Sequence, residues 1–302
     1  MEHWDVCVIG GGPAGYAAAM RAVDFGKRVL LVERHRIGGA GIFDGALSSK
    51  ALWELSQDIA DYTRRFDVRR AKPRIAFDTV AEHVGAAVTE RSGLLVKHLE
   101  AIRAQRPGTF AWEQGEGRLA DAHTVEVRGA NGTRQVRADH IVLATGSRPR
   151  VLPTIPVDEK IILTSDGISG LTDFPKSIVV LGAGVIGCEF ATIFSNFGQT
   201  QVNPIDKEPR ILPFEDEDVA GVIQDNLEAA GVLIHHGCKL VSMGVEDGQV
   251  AYVVEHTEDG RKERFVTERA LISVGRVPNV EGLGLAEAGV QCSASGHIVD
   301  HG

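Results

Sequence analysis

The chain has 302 residues, of which 43% are hydrophobic and 24% charged, a balance typical of a globular protein with room for two domains. Its formal net charge of -9 argues against a nucleic acid or an anionic membrane as the main partner. No stretch is apolar enough to span a bilayer, no secretory signal precedes the first strand, and the four cysteines form no C-x-x-C pair. We therefore expect a cytoplasmic protein with reduced thiols and no metal site.

The first motif is a dinucleotide-binding pattern. A buried strand, DVCVIG, leads into GGGPAG at residues 10–15, which fits G-x-G-x-x-G, and an alanine-rich helix follows. The next strand, RVLLVE, ends at Glu33, 18 residues after Gly15. Gly10 would make the tight turn, Gly12 would let the backbone approach a pyrophosphate, and Gly15 would let helix and strand pack. Glu33 would accept hydrogen bonds from a ribose.

Two helices and a β meander are predicted between this motif and residue 150. The predicted elements are helices at 48–66 and 76–105, a strand at 115–119, and a hairpin of 124–128 with 134–138 around Asn131-Gly132, which favours a type I′ turn. A buried strand from Ile141 then ends in the turn Thr145-Gly146-Ser147, at a strand end of the kind where α/β proteins bind ligands. The proline-containing stretch VLPTIPVDEK indicates a linker that follows the first domain.

The same pattern then begins again. A strand at 177–181 leads into GAGVIG at 182–187, a helix follows, and the next strand ends at Asp206, 19 residues after Gly187. Two such motifs imply two dinucleotides, and the economical pair is a flavin and a nicotinamide. Asp206 favours NAD over NADP, because a carboxylate repels a 2′-phosphate, although Lys207 and Arg210 are cations nearby.

Three further elements of the second half are predicted. Pro204 removes a ladder donor from its strand, so an edge position or a bulge is expected. A helix is predicted at 216–231 and a hairpin of 249–255 with 262–267 around Asp259-Gly260.

Several segments together resemble one family. They are GGGPAGYAAA with Glu33, GGAGIFDGALSSKAL, LATGSRPR, GAGVIGCEFATIF and SVGRVPNVEGLGL. In this order they resemble the pyridine nucleotide-disulfide oxidoreductases, most of all their dihydrolipoamide dehydrogenase and soluble transhydrogenase branches. The resemblance implies an α/β fold of two Rossmann-like dinucleotide-binding domains, three-layered with β-meander insertions. Residues 1–150 plus 274–302 would bind FAD, and residues 151–273 would bind NAD(H).

The resemblance also implies which residues form each site. The FAD site would comprise Gly10, Gly12, Pro13, Ala14, Gly15, Glu33, Arg34, Gly39, Ala40, Lys50, Gly117, Thr145, Gly146 and Ser147. The NAD site would comprise Gly182, Gly184, Val185, Ile186, Gly187, Glu189, Asp206 and Gly275. Lys50 and Glu189 would be the catalytic ion pair beside the flavin, since a cation there stabilises the reduced ring and the carboxylate keeps that cation charged.

The chain departs from the family pattern in two respects. The redox cysteine positions hold Gly41 and Ala46, and Ser48 replaces a proline, so no thiolate is available there to attack a disulfide. The family's C-terminal flavin-contacting turn and interface domain are also absent from these 302 residues. We therefore expect reduced FAD affinity, and a homodimer only if that domain is supplied.

Three functions are consistent with these observations. The first is an NADH-dependent FAD oxidoreductase that passes electrons to a non-thiol small molecule such as another nicotinamide nucleotide, a quinone or oxygen. The alternative is a degenerate FAD/NAD-binding homologue with a regulatory role and no turnover. The third is a disulfide reductase that uses Cys7 or Cys188, which lie beside the glycine motifs. The bland interpretation of all four cysteines is buried filler.

Overall fold

The computed structural model describes residues 1–66 and 74–299. Residues 67–73 and 300–302, which belong to the domains expected from the sequence, lie outside the described residues. The strands are β1 (Glu2–Ile9), β2 (Val29–Glu33), β3 (Phe110–Asp121), β4 (Thr124–Gly129), β5 (Gly132–Leu143), β6 (Ser147–Pro149), β7 (Ile162–Thr164), β8 (Ser177–Leu181), β9 (Gln201–Ile205), β10 (Cys238–Glu246), β11 (Gln249–His256), β12 (Lys262–Thr267), β13 (Arg269–Ile272) and β14 (Arg276–Pro278). The helices are α1 (Pro13–Asp24), α2 (Gly39–Ile42), α3 (Ala46–Arg65), α4 (Phe77–Gln105), a 3-10 helix (Ser165–Gly170), α5 (Val185–Phe197) and α6 (Glu217–Ala229).

The chain divides into two compact units. The first comprises Met1–Ala46, Val88–Arg148 and Arg276–Gly302, and the second comprises Leu47–Ala87 and Pro149–Gly275. After residue 140 the chain passes from the first unit to the second at Pro149 and returns at Arg276. Both positions lie within about two residues of the domain boundaries expected from the sequence. Segment 47–87 differs, because the sequence placed it in the first domain and the structure places it in the second unit.

The sheet of the first unit has two parts that share their outer strands. Strands β3, β2, β1 and β5 pair in parallel, whereas β3, β4 and β5 pair antiparallel as a meander, which closes the five strands into a barrel. Strands β3 and β5, with 12 residues each, are long enough to belong to both parts.

Both faces of the parallel part are buried, which explains why its strands are continuously hydrophobic. On one face Val8 and Leu31 pack with Val23 of α1 and Leu99 of α4. On the other face the neighbouring residues of β1 and β2 pack against the meander. Helices, parallel sheet and meander therefore form the three layers expected from the sequence.

The second unit repeats this plan. Its parallel sheet has the order β7-β13-β8-β9, and a three-stranded antiparallel sheet, β10-β11-β12, contributes to a common core with it. Pro204 lies in β9, the edge strand of the parallel sheet, which confirms the expected edge position.

Two details of the sequence prediction are wrong. The hairpin between β4 and β5 forms, with Gly129 opposite Gly132, but its loop is Ala130-Asn131. Neither loop residue has a positive φ, so the turn is not type I′, and Gly132 takes the left-handed conformation with φ 100°. The strand predicted at 134–138 and the buried strand from Ile141 are one continuous strand, β5.

Candidate functional site

The outer glycines of the first motif are required by the protein's own packing. Gly10 follows β1 with φ 107°, and a Cβ built there would lie 2.2 Å from the Ala144 carbonyl oxygen. A Cβ on Gly15, in the first turn of α1, would lie 1.8 Å from the Gly10 carbonyl oxygen. Because real Cβ atoms do not approach oxygens so closely, any side chain at either position would force helix and strand apart.

Packing does not require a glycine at the middle position. Gly12 caps α1 with φ −69°, a conformation open to every residue, and a Cβ built there meets no protein atom within 4 Å. Because Gly12 has no side chain, the space in front of the α1 N-terminus is open. The first backbone N–H groups of α1 have no partner within the helix. This is the shape and polarity that a pyrophosphate requires, so the residues present fit a dinucleotide.

Gly10, Gly12 and Gly15 with the α1 N-terminus form an arrangement that we call the cradle. The second unit contains the same arrangement. Gly182 has φ 97°, with its Cβ position 2.7 Å from the Ser273 carbonyl oxygen. The Cβ position of Gly187 lies 2.0 Å from the Gly182 carbonyl oxygen. Gly184 caps α5 with φ −79° and, like Gly12, faces open space. Two distant parts of the sequence thus build one geometry twice.

An acidic residue completes each cradle from the strand beside it. Glu33 is 8% exposed, and its carboxylate accepts hydrogen bonds from the backbone N–H groups of Gly11 at 2.6 Å and His35 at 2.7 Å. Asp206 accepts in the same way from Ala183 at 2.7 Å and Glu208 at 3.0 Å. Each carboxylate is fixed by two donors, and its remaining lone pairs can accept ribose hydroxyls.

A cavity of about 650 Å³ lies beside Glu33 in the first unit. Arg34 is the predicted site residue that lines it. Sequence reasoning missed its other lining residues, which are His35, Gln114, Gly115, Glu116, Arg128, Gly129 and Ala130. The cavity opens after the carboxyl end of β2, the edge at which parallel sheets bind ligands, and that rule is the signal that could have found it. Gly117 lies nearby but packs on Ile9, whose Cγ2 is 3.1 Å from its Cβ position.

The turn after β5 serves the protein's own structure. The Thr145 hydroxyl donates to the Asn279 carbonyl at 2.7 Å, and the Ser147 hydroxyl accepts from Arg276 Nε at 2.9 Å. Both hydroxyls, expected from the sequence to offer polar groups to a ligand, therefore hold the returning chain. Gly146 has φ 70° and open space at its Cβ position, so the turn offers a ligand chiefly its backbone.

The remaining predicted residues lie at the N-termini of α1, α2 and α5 and in the turn after β13. Pro13 and Ala14 open α1, Val185 and Ile186 open α5, Gly39 and Ala40 begin α2, and Gly275 follows β13 with φ 105°. Gly39 approaches the first cradle closely, because its Cβ position lies 3.1 Å from the Gly12 Cα.

The segment that leads into α3 is closely packed at Gly41. A Cβ on Gly41 would lie 2.3 Å from Pro13 Cγ, so this position excludes any side chain without movement. The Arg36 guanidinium lies 3.7 Å from the centre of the Phe43 ring, a cation–π contact between residues on either side of Gly41. Ala46, the first residue of α3, is exposed.

The predicted ion pair is present in the second unit. The Lys50 ammonium of α3 pairs with Glu189 Oε1 of α5, and the Ser49 hydroxyl donates to the same oxygen at 3.1 Å. The Lys50 side chain is 64% exposed, whereas that of Glu189 is 19% exposed. Sequence reasoning missed Ser49, since a serine inside a helix carries no signal of its own.

Comparison with known proteins decides the family. The family model for pyridine nucleotide-disulphide oxidoreductases matches residues 4–302. This chain belongs to that family. The family's oxidoreductases use FAD and NAD(H).

Individual relatives agree with this assignment. Dihydrolipoyl dehydrogenase of Bacillus subtilis is 32% identical over 292 residues, which cover 96% of this chain and 62% of the relative. The crystal structure of LpdA from Mycobacterium tuberculosis is 26% identical with a TM-score of 0.84, covering 98% of this chain and 63% of that one. The Cu(II) complex of the flavoprotein disulfide reductase RclA from Escherichia coli is 24% identical with a TM-score of 0.83, covering 99% and 62%, and shows the fold. The chain thus spans less than two thirds of the length of the proteins it matches.

The cysteines of this oxidoreductase scaffold are free. Cys7, Cys188 and Cys238 are buried, whereas Cys292 is exposed, so the interpretation as buried filler is wrong for Cys292. Burial raises the pKa of the Cys7 and Cys188 thiols to about 12, and it also raises the pKa of Cys238. At neutral pH Cys7 and Cys188 are therefore protonated thiols, unsuited to thiol–disulfide exchange.

The cations near Asp206 are occupied by other partners. The Arg210 guanidinium donates to the carbonyls of Leu212 at 2.9 Å and Glu215 at 2.9 Å, and so braces its own loop. Lys207 pairs with Glu208 at 3.2 Å.

Among the described residues no helix is long and apolar enough to cross a membrane.

Proposed function

We propose that this chain is an FAD-dependent pyridine nucleotide oxidoreductase, with FAD in the first unit and NADH in the second. The observation that supports it most strongly is the doubled cradle. In each unit the outer glycines are dictated by packing, whereas the middle glycine, Gly12 or Gly184, is not and leaves open space at a helix N-terminus where a ligand would fit.

The roles of the chain's own residues follow from this arrangement. The α1 and α5 N-termini would each hold a pyrophosphate through backbone N–H groups. Glu33 and Asp206 would accept ribose hydroxyls. Arg210 is held by backbone carbonyls of its own loop and Lys207 pairs with Glu208. A 2′-phosphate beside Asp206 would meet a carboxylate, which favours NAD(H) over NADP(H).

Lys50 would be the catalytic cation, with Glu189 as its partner. Bound FAD would supply the two-electron chemistry that takes hydride from NADH and releases electrons to an acceptor. The ammonium would stabilise the negative charge that hydride brings, and the carboxylate would keep that ammonium charged.

The acceptor would be a small molecule that is not a thiol. Gly41 and Ala46 stand where the family keeps its redox cysteines, and Gly41 lacks the space for a side chain. We propose another nicotinamide nucleotide, a quinone or oxygen as the acceptor class, and a cytoplasmic location.

Anaerobic addition of NADH to the FAD-loaded chain tests this function. Bleaching of the flavin absorption, followed by its return on adding a quinone, is the expected result. A spectrum that NADH leaves unchanged would contradict the proposal.

The loss of the dithiol also favours a second candidate, a degenerate homologue that binds nucleotides for regulation. Calorimetry would then show nucleotide binding while assays with standard dyes and quinones show no turnover. Steady reductase turnover on either acceptor class would rule this candidate out.

A further inference from the structure

Besides the Lys50–Glu189 ion pair, two hydrogen bonds join α3 and α5 in the second unit. Ser49 donates to Glu189 at 3.1 Å, and Asn196 donates through Nδ2 to the Ser56 hydroxyl at 3.2 Å. The linked residues are seven positions apart on both helices, which is two turns, so the helices run parallel here in a fixed register. Ser49 is 7% exposed and Ser56 is fully buried.

The first link reaches the ion pair. One oxygen of Glu189, Oε1, accepts from both the Ser49 hydroxyl and the Lys50 ammonium. Lys50 is mostly exposed and has a long flexible stem, so its ammonium is located by the carboxylate rather than by packing. Glu189 in turn has a rigid partner in Ser49, a short side chain buried on a helix.

We propose that Ser49 is a positioning residue for the hydride transfer described above: its buried hydroxyl fixes the Glu189 carboxylate, which fixes the Lys50 ammonium. This inference rests on the proposed function. Ser49 touches neither nucleotide in this scheme and acts through Glu189. The second link, at Ser56 and Asn196, holds the same two helices together without contacting the ion pair, and so provides a matched control.

The test compares Ser49→Ala with Ser56→Ala in the FAD-loaded chain. Ser49→Ala is expected to lower the limiting rate of anaerobic flavin reduction by NADH about five- to tenfold, the scale of one hydrogen bond to a charged group. Ser49→Thr keeps the hydroxyl and should recover most of the rate. Ser56→Ala should reduce flavin at the wild-type rate. In a Glu189→Ala background, which removes the accepting oxygen, Ser49→Ala should have no further effect on the rate.

A second readout needs no flavin. In urea unfolding of the flavin-free protein, the losses of unfolding free energy from Ser49→Ala and Glu189→Ala should not add, whereas those from Ser56→Ala and Glu189→Ala should add. Non-additivity at 49 and 189 shows that the link exists in solution.

Three results would overturn the inference. A Ser49→Ala protein as fast as wild type, with Lys50→Met slow, leaves the proposed function standing and removes Ser49 from it. Equal slowing by Ser56→Ala would assign the effect to general helix packing. If NADH fails to reduce flavin in the wild-type chain, the proposed function and this inference fail together.

Discussion

The two kinds of glycine in each cradle make opposite predictions when replaced by alanine. At Gly12 the φ of −69° and the open Cβ position mean that alanine fits the fold. Alanine is a poorer N-cap than glycine but reduces the entropy of the unfolded chain, and these two effects nearly cancel, leaving stability within about 1 kcal/mol of wild type. The added methyl group would occupy the space assigned to a pyrophosphate.

At Gly15 the outcome is reversed. The Cβ would lie 1.8 Å from the Gly10 carbonyl oxygen, so α1 must shift away from β1. Overpacking of this kind costs about 1–3 kcal/mol, and in a chain of this size that lowers Tm by roughly 2–12 °C. The same contrast is expected between Gly184→Ala and Gly187→Ala in the second unit, where the corresponding contact is 2.0 Å.

Thermal unfolding without nucleotide, followed by calorimetric titration with FAD or NADH, separates the two effects. Gly12→Ala should melt with wild-type protein yet bind FAD about tenfold or more weakly, which corresponds to ~1.4 kcal/mol. Gly184→Ala should do the same for NADH. If Gly12→Ala binds FAD as tightly as wild type, or melts as low as Gly15→Ala, the ligand-based reason for the middle glycine is refuted.

Four further predictions address the proposed chemistry and the thiols. Lys50→Met should slow anaerobic flavin reduction by about tenfold or more in stopped-flow absorbance, because the cation that stabilises incoming negative charge is lost. Asp206→Asn should weaken NADH binding about tenfold in calorimetry. It should also reduce the ratio of NADH affinity to NADPH affinity, because the carboxylate that repels a 2′-phosphate becomes a neutral amide. Gly41→Cys should lower Tm by several degrees in calorimetry, about the cost of overpacking, since the new Cβ would lie 2.3 Å from a proline ring; unchanged stability would show that this segment can move. The Cys7 and Cys188 thiols have a pKa of about 12 in the fold against an ordinary 9.0, so the unfolded chain releases their protons first. The free energy of unfolding should then fall between about pH 9 and pH 12, by up to ~1.4 kcal/mol per pH unit per thiol in urea titrations, and a flat profile would contradict their burial.

The sequence predicted those parts of the fold that depend on local chemistry. Strand, glycine turn, helix and acidic strand end follow one another within about thirty residues, so Gly10 to Glu33 could be assigned from spacing alone. The β4–β5 hairpin was also predictable, but its turn type was not. Asn131-Gly132 suits two turn geometries, and strand pairing with Gly129 opposite Gly132 selects the one in which only the glycine is left-handed.

Features that depend on distant pairing could not be predicted. The 650 Å³ cavity is lined by three separate segments of the chain, and nothing in the sequence around Gln114 or Arg128 predicts that both line it. The hydroxyls of Thr145 and Ser147 bond to residues about 130 positions later, so sequence proximity to a strand end overstated their availability. Ser49 and Glu189 are 140 positions apart in the sequence, and their hydrogen bond depends on the packing of α3 against α5.

One measurement tests the central claim most directly: the visible absorption spectrum of the FAD-loaded chain, recorded anaerobically before and after addition of NADH. If the two glycine motifs hold coupled nucleotides, NADH should bleach the flavin, NADPH should do so more slowly, and no protein thiol should become newly titratable. A flavin band that survives excess NADH, or bleaching accompanied by the appearance of new thiols, would contradict it.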